Sequence, residues 1–125
     1  MSICRWRRSP RSPAFSEEMG EADQVGVVVD VYHVFWDPVL FPQIARASRR
    51  ILGFHINDWV VPTRDPLLER GMMGDGVIEL RRIRAAVDAA GHVGPIEVEI
   101  FTPEIWSRPG DKILATMKER YAALV

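Results

Sequence analysis

The chain has 125 residues and a formal net charge of −1, with 16 Lys plus Arg against 17 Asp plus Glu; this length gives one domain with a modest core, and the balance argues against a nucleic-acid or membrane role driven by bulk charge. The single cysteine, Cys4, cannot close an internal disulfide, which fits a reducing compartment, expected to be the cytoplasm, or simple indifference to redox. No apolar run approaches the ~20 residues of a membrane span, and the apolar stretch of a signal peptide is also missing.

The opening differs from the rest. "MSICRWRRSPRSP" is basic, rich in Ser and Pro, and has no period of 2 or 3.6. It reads as a disordered tail, with a nucleic-acid patch or an Arg-rich targeting peptide as the other readings. "AFSEEMGEADQ" follows as a short helical stretch without a clear apolar stripe. Residues 1–24 are therefore set apart from 25–125.

From residue 25 the pattern is regular. "VGVVVD" (25–30), "RILGFHI" (50–56) and "PIEVEIF" (95–101) are short, rich in β-formers and flanked by breakers, and each is followed by a helical segment. The first of these, 37–50, holds two prolines; Pro38 suits a start, and Pro42 places the onset of regular helix there. The second, about 78–90, carries Leu80, Ile83, Val87 and Ala90 at spacings of three and four, with Gly91 as its C-terminal cap. The third starts near Pro109 and carries Ile113, Leu114, Met117, Tyr121 and Leu124 on one face. Asp111 in its first turn, and Lys118 and Arg120 towards its end, suit the helix dipole.

Three βα units in a row imply an α/β fold with a parallel sheet, and continuous apolar strands imply burial on both faces. Three strands alone leave two exposed edges. The expected architecture is therefore part of a larger one, about a third of a barrel.

Each strand then delivers a polar group to one rim. Asp30 ends the first. His55 lies near the end of the second, with Asn57 and Asp58 beyond. Glu99 lies late in the third, with Glu97 two residues earlier on the same face. In parallel α/β folds the C-terminal strand ends form the active face. Singly, Asp30 is an ordinary strand-end acceptor, His55 a satisfied histidine and Glu99 an arginine's partner. Their joint occurrence at equivalent positions points to a shared divalent cation, because a buried charge without a partner costs several kcal/mol. Two carboxylates and an imidazole suit Mn²⁺, Mg²⁺, Co²⁺ or Zn²⁺.

"DWVVPTRDPLLERGMMGDG" (58–76) is a long connection, a kind that is usually functional or disordered. Its glycines permit tight turns. It is neither a dinucleotide fingerprint nor a P-loop, so no nucleotide site is expected. Arg70 suits a hydroxyl or phosphate oxygen, or else is a solvated loop cation. Met72, Met73 and Trp59 either roof an apolar pocket or pack the loop.

"VGVVVDVYHVFWDP", "GFHINDWVVPTRDPLLERGMMGDGVIEL" and "GPIEVEIF" resemble the last three βα units of the sugar phosphate isomerase/epimerase family, the xylose isomerase-like (β/α)₈ TIM barrels. The resemblance covers about residues 25–120 and rests on the combination of D-x-x-H, H-x-N-D, R-G-x-x-G-x-G and V-E-I at these separations. It implies a partial TIM barrel and a metal held by Asp30, His55 and Glu99. It also implies that His33 and Arg70 contact oxygens of a sugar or cyclitol substrate. The implied chemistry is proton transfer next to a carbonyl, with Glu99 as one of two catalytic carboxylates.

A family barrel has ~250 residues. The first five strands are missing here, and with them the fourth ligand, which is also the other catalytic Glu. The resemblance therefore implies a truncated isomerase or epimerase that alone binds metal weakly and turns over nothing. The partner would be another copy or a complementary barrel half. One alternative is an apurinic-site endonuclease of the same superfamily, but that pattern needs D-x-H where Glu69, Arg70 and Gly71 stand. The other is a non-catalytic barrel piece assembling with a separate chain.

Overall fold

β1 spans Val27–Asp30, a β-branched run of the kind that favours extended backbone. The computed structural model describes residues 26–125; Val25, the basic opening and the expected short helical stretch lie outside the described residues. β2 (Ile51–Ile56) pairs with β1 in parallel. Asp58–Trp59 forms β3, and Arg70–Gly71 forms β4. Ile96–Val98 forms β5, parallel to the other side of β2. The main sheet therefore has the order β1-β2-β5, while β3 and β4 make a separate antiparallel pair.

The helices alternate with the strands. The single turn α1 (Val31–Val34) follows β1 directly, and α2 (Leu40–Ala47) follows after a turn. One 3-10 turn, Ser48–Arg50, leads into β2. α3 spans Leu80–Ala89, α4 Pro103–Trp106 and α5 Gly110–Leu124. The fold is the expected α/β arrangement of three βα units, a partial barrel. No helix among the described residues is long and apolar enough to cross a membrane.

Three local expectations change. α2 begins at Leu40 and not at Pro42. Pro42 is its third residue, where an amide hydrogen has no acceptor within the helix, so the ring costs no hydrogen bond. α5 packs Ile113, Met117 and Leu124 against the core, but Leu114 and Tyr121 are 51% and 37% exposed. At about 100° per residue the first three share a stripe roughly 40° wide, and the other two lie some 80–100° round from Ile113. α4 has no expected counterpart; Thr102 stands at its N-cap and Pro103 opens it. Gly91 does close α3, in the left-handed region at φ +92°.

Alternation along the strands sorts the sheet into two faces. Val29 pairs with Phe54, and Phe54 with Ile96; these belong to the core that α2 and α3 cover with Leu40, Ile44, Ile83 and Val87. Asp30 pairs with His55, and His55 with Glu97, on the opposite face. One irregularity sets this register. Val27 faces Ile51 but Val28 faces Gly53, so Leu52 is skipped.

Candidate functional site

Asp30 is both the last residue of β1 and the N-cap of α1. Its Oδ1 accepts the Tyr32 backbone N–H at 3.0 Å. The side-chain amide of Asn57, just past β2, donates to the same oxygen at 3.2 Å and to the Glu99 carbonyl at 3.0 Å. Glu99 itself lies one residue beyond β5, its amide donating to the Ile56 carbonyl at 3.0 Å. Asn57 is fully buried and ties the rim together across all three strands. From the sequence it is only the residue after β2; its part in the rim needs the sheet register to be seen.

Arg70 is not a solvated loop cation. Its side chain is 3% exposed. Nη1 donates to Glu99 Oε2 at 2.6 Å and to Asp30 Oδ2 at 3.1 Å, and Nη2 lies 3.2 Å from His33 Nε2. The guanidinium sits between two rings, 4.6 Å from the Tyr32 centroid and 4.7 Å from that of Phe101. Such a sandwich fixes its plane and favours the cation. Burial pushes the Tyr32 hydroxyl pKa up, and the Arg70 charge pulls it the other way.

His33 Nε2 lies 3.6 Å from Asp30 Oδ2, so α1 returns it to the rim that Asp30 begins. His55 stands between two carboxylates: Nδ1 is 3.7 Å from Glu99 Oε2, and Nε2 is 3.6 Å from Glu97 Oε2. Asp30, His55 and Glu99 each offer a donor atom within 4.8 Å of the other two. Ligands about 2.1 Å from one ion stand roughly 3–3.5 Å apart. The His55–Glu99 pair at 3.7 Å is close to that spacing, and the donor types fit a borderline or hard divalent cation. All five sequence-derived residues, Asp30, His33, His55, Arg70 and Glu99, therefore belong to one connected cluster.

The 58–76 connection is ordered by β3, β4 and one carboxylate. Asp58 is buried and accepts three backbone amides, from Trp59, Gly74 and Ile78, each at 2.9 Å. Gly74 adopts φ +90°, the left-handed conformation that favours glycine. Met72 and Met73 are buried in the core, and Trp59 packs on Tyr32 at 4.6 Å between centroids. These three residues pack the loop. A cleft of about 500 Å³ nearby is lined by Arg70, Thr102, Glu69 and Arg120; of the cluster, only Arg70 lines it.

A family profile described as a xylose isomerase-like TIM barrel matches residues 12–121. The crystal structure of protein SMc04130 from Sinorhizobium meliloti 1021 is similar, with a TM-score of 0.82 and 54% sequence identity, over 86% of this chain and 40% of that one. The IOLI protein, in a crystal structure with a binding zinc atom, has a TM-score of 0.71 and 24% identity over the same shares, a likeness of fold alone. The chain thus spans about 40% of the length of these solved structures. No curated protein matches it.

Proposed function

The chain belongs to the xylose isomerase-like TIM barrel family, and from that premise we propose that it carries part of the site of a divalent-metal-dependent isomerase or epimerase acting on a sugar, sugar phosphate or cyclitol. The observation that carries the reading is the convergence of Asp30, His55 and Glu99 from three adjacent strand ends. One imidazole and two carboxylates suit Mn²⁺, Mg²⁺, Co²⁺ or Zn²⁺. Such an ion, when bound, polarises the carbonyl and hydroxyl oxygens of the substrate.

The remaining work falls to the chain's own side chains. Glu99 takes or returns the proton on the carbon next to the carbonyl. Arg70, held flat between Tyr32 and Phe101, and His33 beside it bind substrate oxygens. Asn57 holds the Asp30 carboxylate and the Glu99 backbone in fixed relation. Epimerisation needs a second carboxylate on the other face of the substrate. In the resemblance it comes from an earlier strand, so we infer that the front strands of the barrel complete the site.

The endonuclease alternative gains no support. Where its D-x-H belongs, Glu69 braces its own loop by accepting the amides of Arg64 and Asp65. Arg70 adds a cation where further metal ligands are needed. The test is calorimetric titration of Mn²⁺ into the folded chain, with Asp30→Ala and Glu99→Ala beside it. Weak binding lost in both variants is the expected result. A folded wild type that takes up no Mn²⁺ overturns the reading.

A further inference from the structure

We propose that Glu97 is a positioning residue for His55: it holds the proton on Nε2, so that Nδ1 keeps its lone pair for a cation. The proposal deepens the metal reading above and rests on it. Glu97 and His55 are register partners on β5 and β2 and project from the same face of the sheet. Their nearest atoms, Oε2 and Nε2, are 3.6 Å apart. The other ring nitrogen, Nδ1, looks the opposite way, to Glu99 Oε2 at 3.7 Å.

The two flanking carboxylates are not equivalent. Glu99 Oε2 already accepts Arg70 Nη1 at 2.6 Å and belongs to the converging donor set. Glu97 is 62% exposed and has no other ion-pair partner among the described residues. A neutral imidazole carries one proton. On Nδ1 that proton would point at Glu99 and remove the ring nitrogen from the donor set. On Nε2 it points at Glu97 and leaves Nδ1 free. A carboxylate behind a ligating imidazole fixes its tautomer and ring orientation and raises its basicity. An ordinary cross-strand pair would add a little stability and be indifferent to which nitrogen bears the proton.

That difference gives the test. Long-range ¹H–¹⁵N NMR on the ¹⁵N-labelled chain, without metal and in mildly alkaline solution, reports the tautomer of His55. The wild type is expected to be the Nε2–H form. Glu97→Gln keeps it, since the amide oxygen still accepts, and Glu97→Ala gives a mixture. Mn²⁺ affinity falls about tenfold in Glu97→Ala, the low end of the range for such partners because Glu97 is largely exposed, and less in Glu97→Gln. An unchanged tautomer and unchanged Mn²⁺ affinity in Glu97→Ala overturn the proposal and leave the metal reading standing. A wild type that binds no Mn²⁺ overturns the metal reading and the affinity half of the proposal. The tautomer readout needs no ion, so the two failures are told apart.

Discussion

A 2.6 Å ion pair joins Arg70 Nη1 to Glu99 Oε2, and the same nitrogen reaches Asp30 at 3.1 Å. A buried monovalent cation thus lies against both carboxylates of the candidate metal set. Replacing it leaves them facing each other with one positive partner fewer. Arg70→Met is expected to cost about 3–5 kcal/mol, the usual result of breaking a buried pair from one side. Arg70→Lys recovers only part, because an ammonium lacks the second nitrogen that reaches His33 and the flat face that stacks between two rings. Urea unfolding measures both, and a loss below about 1 kcal/mol in Arg70→Met contradicts the buried-pair account.

Asp58 is expected to matter for stability and not for chemistry. Asp58→Ala strips three amides of their acceptor, at a cost of about 3 kcal/mol. Limited proteolysis should then cut between residues 59 and 78, at sites closed in the wild type. Uncut loops with full stability count against the clamp.

Phe54 lies at the centre of the core with no exposure. Phe54→Ala should cost about 3–5 kcal/mol by denaturant unfolding. A substitution in this core loosens the helix-covered face, so near-neutrality would mean that α2 and α3 do not pack there.

Glu69 titrates low, because its carboxylate accepts the amides of Arg64 and Asp65 and lies beside the Arg64 cation. A depressed folded value places the stabilisation above the unfolded pKa and removes it as pH falls through the folded one. The amide shifts of Arg64 and Asp65 should therefore follow an acid titration with its midpoint below the ordinary glutamate value. An ordinary midpoint rules out those hydrogen bonds in solution.

The chain alone is expected to form no epimer of ketose or inosose substrates with Mn²⁺ present, because Glu99 takes and returns a proton on one face only. Epimeric product, measured by NMR, would show that no second carboxylate is needed.

The βα order was legible because its signals are local: β-branched runs, Gly91 past a three-and-four spacing, Pro109 before an amphipathic stretch. The rim was legible because strand ends are equivalent in a parallel sheet, which let Asp30, His55 and Glu99 be read together. Arg70 stood out from the loop as well as by resemblance, but its burial did not, since the rings that cover it come from Tyr32 and Phe101, distant in sequence. The roles of Asn57 and Glu97 were hidden for a related reason. Each depends on which atoms lie across the sheet, and composition or spacing along one strand holds no record of that. α4 was missed because four residues carry no period.

The skipped Leu52 is 56% exposed, and its side chain belongs to no core cluster among the described residues. It nevertheless sets a reading frame. If Val27 opposite Ile51 were followed by unbroken pairing, Asp30 would stand across from Phe54, and its carboxylate would be out of phase with the imidazole. The connections between these strands can lengthen or shorten over evolution without moving the polar rim. Leu52 is likewise a place inside β2 where a residue can be lost: without it Val28 would still face Gly53 and Asp30 would still face His55, now in unbroken pairing.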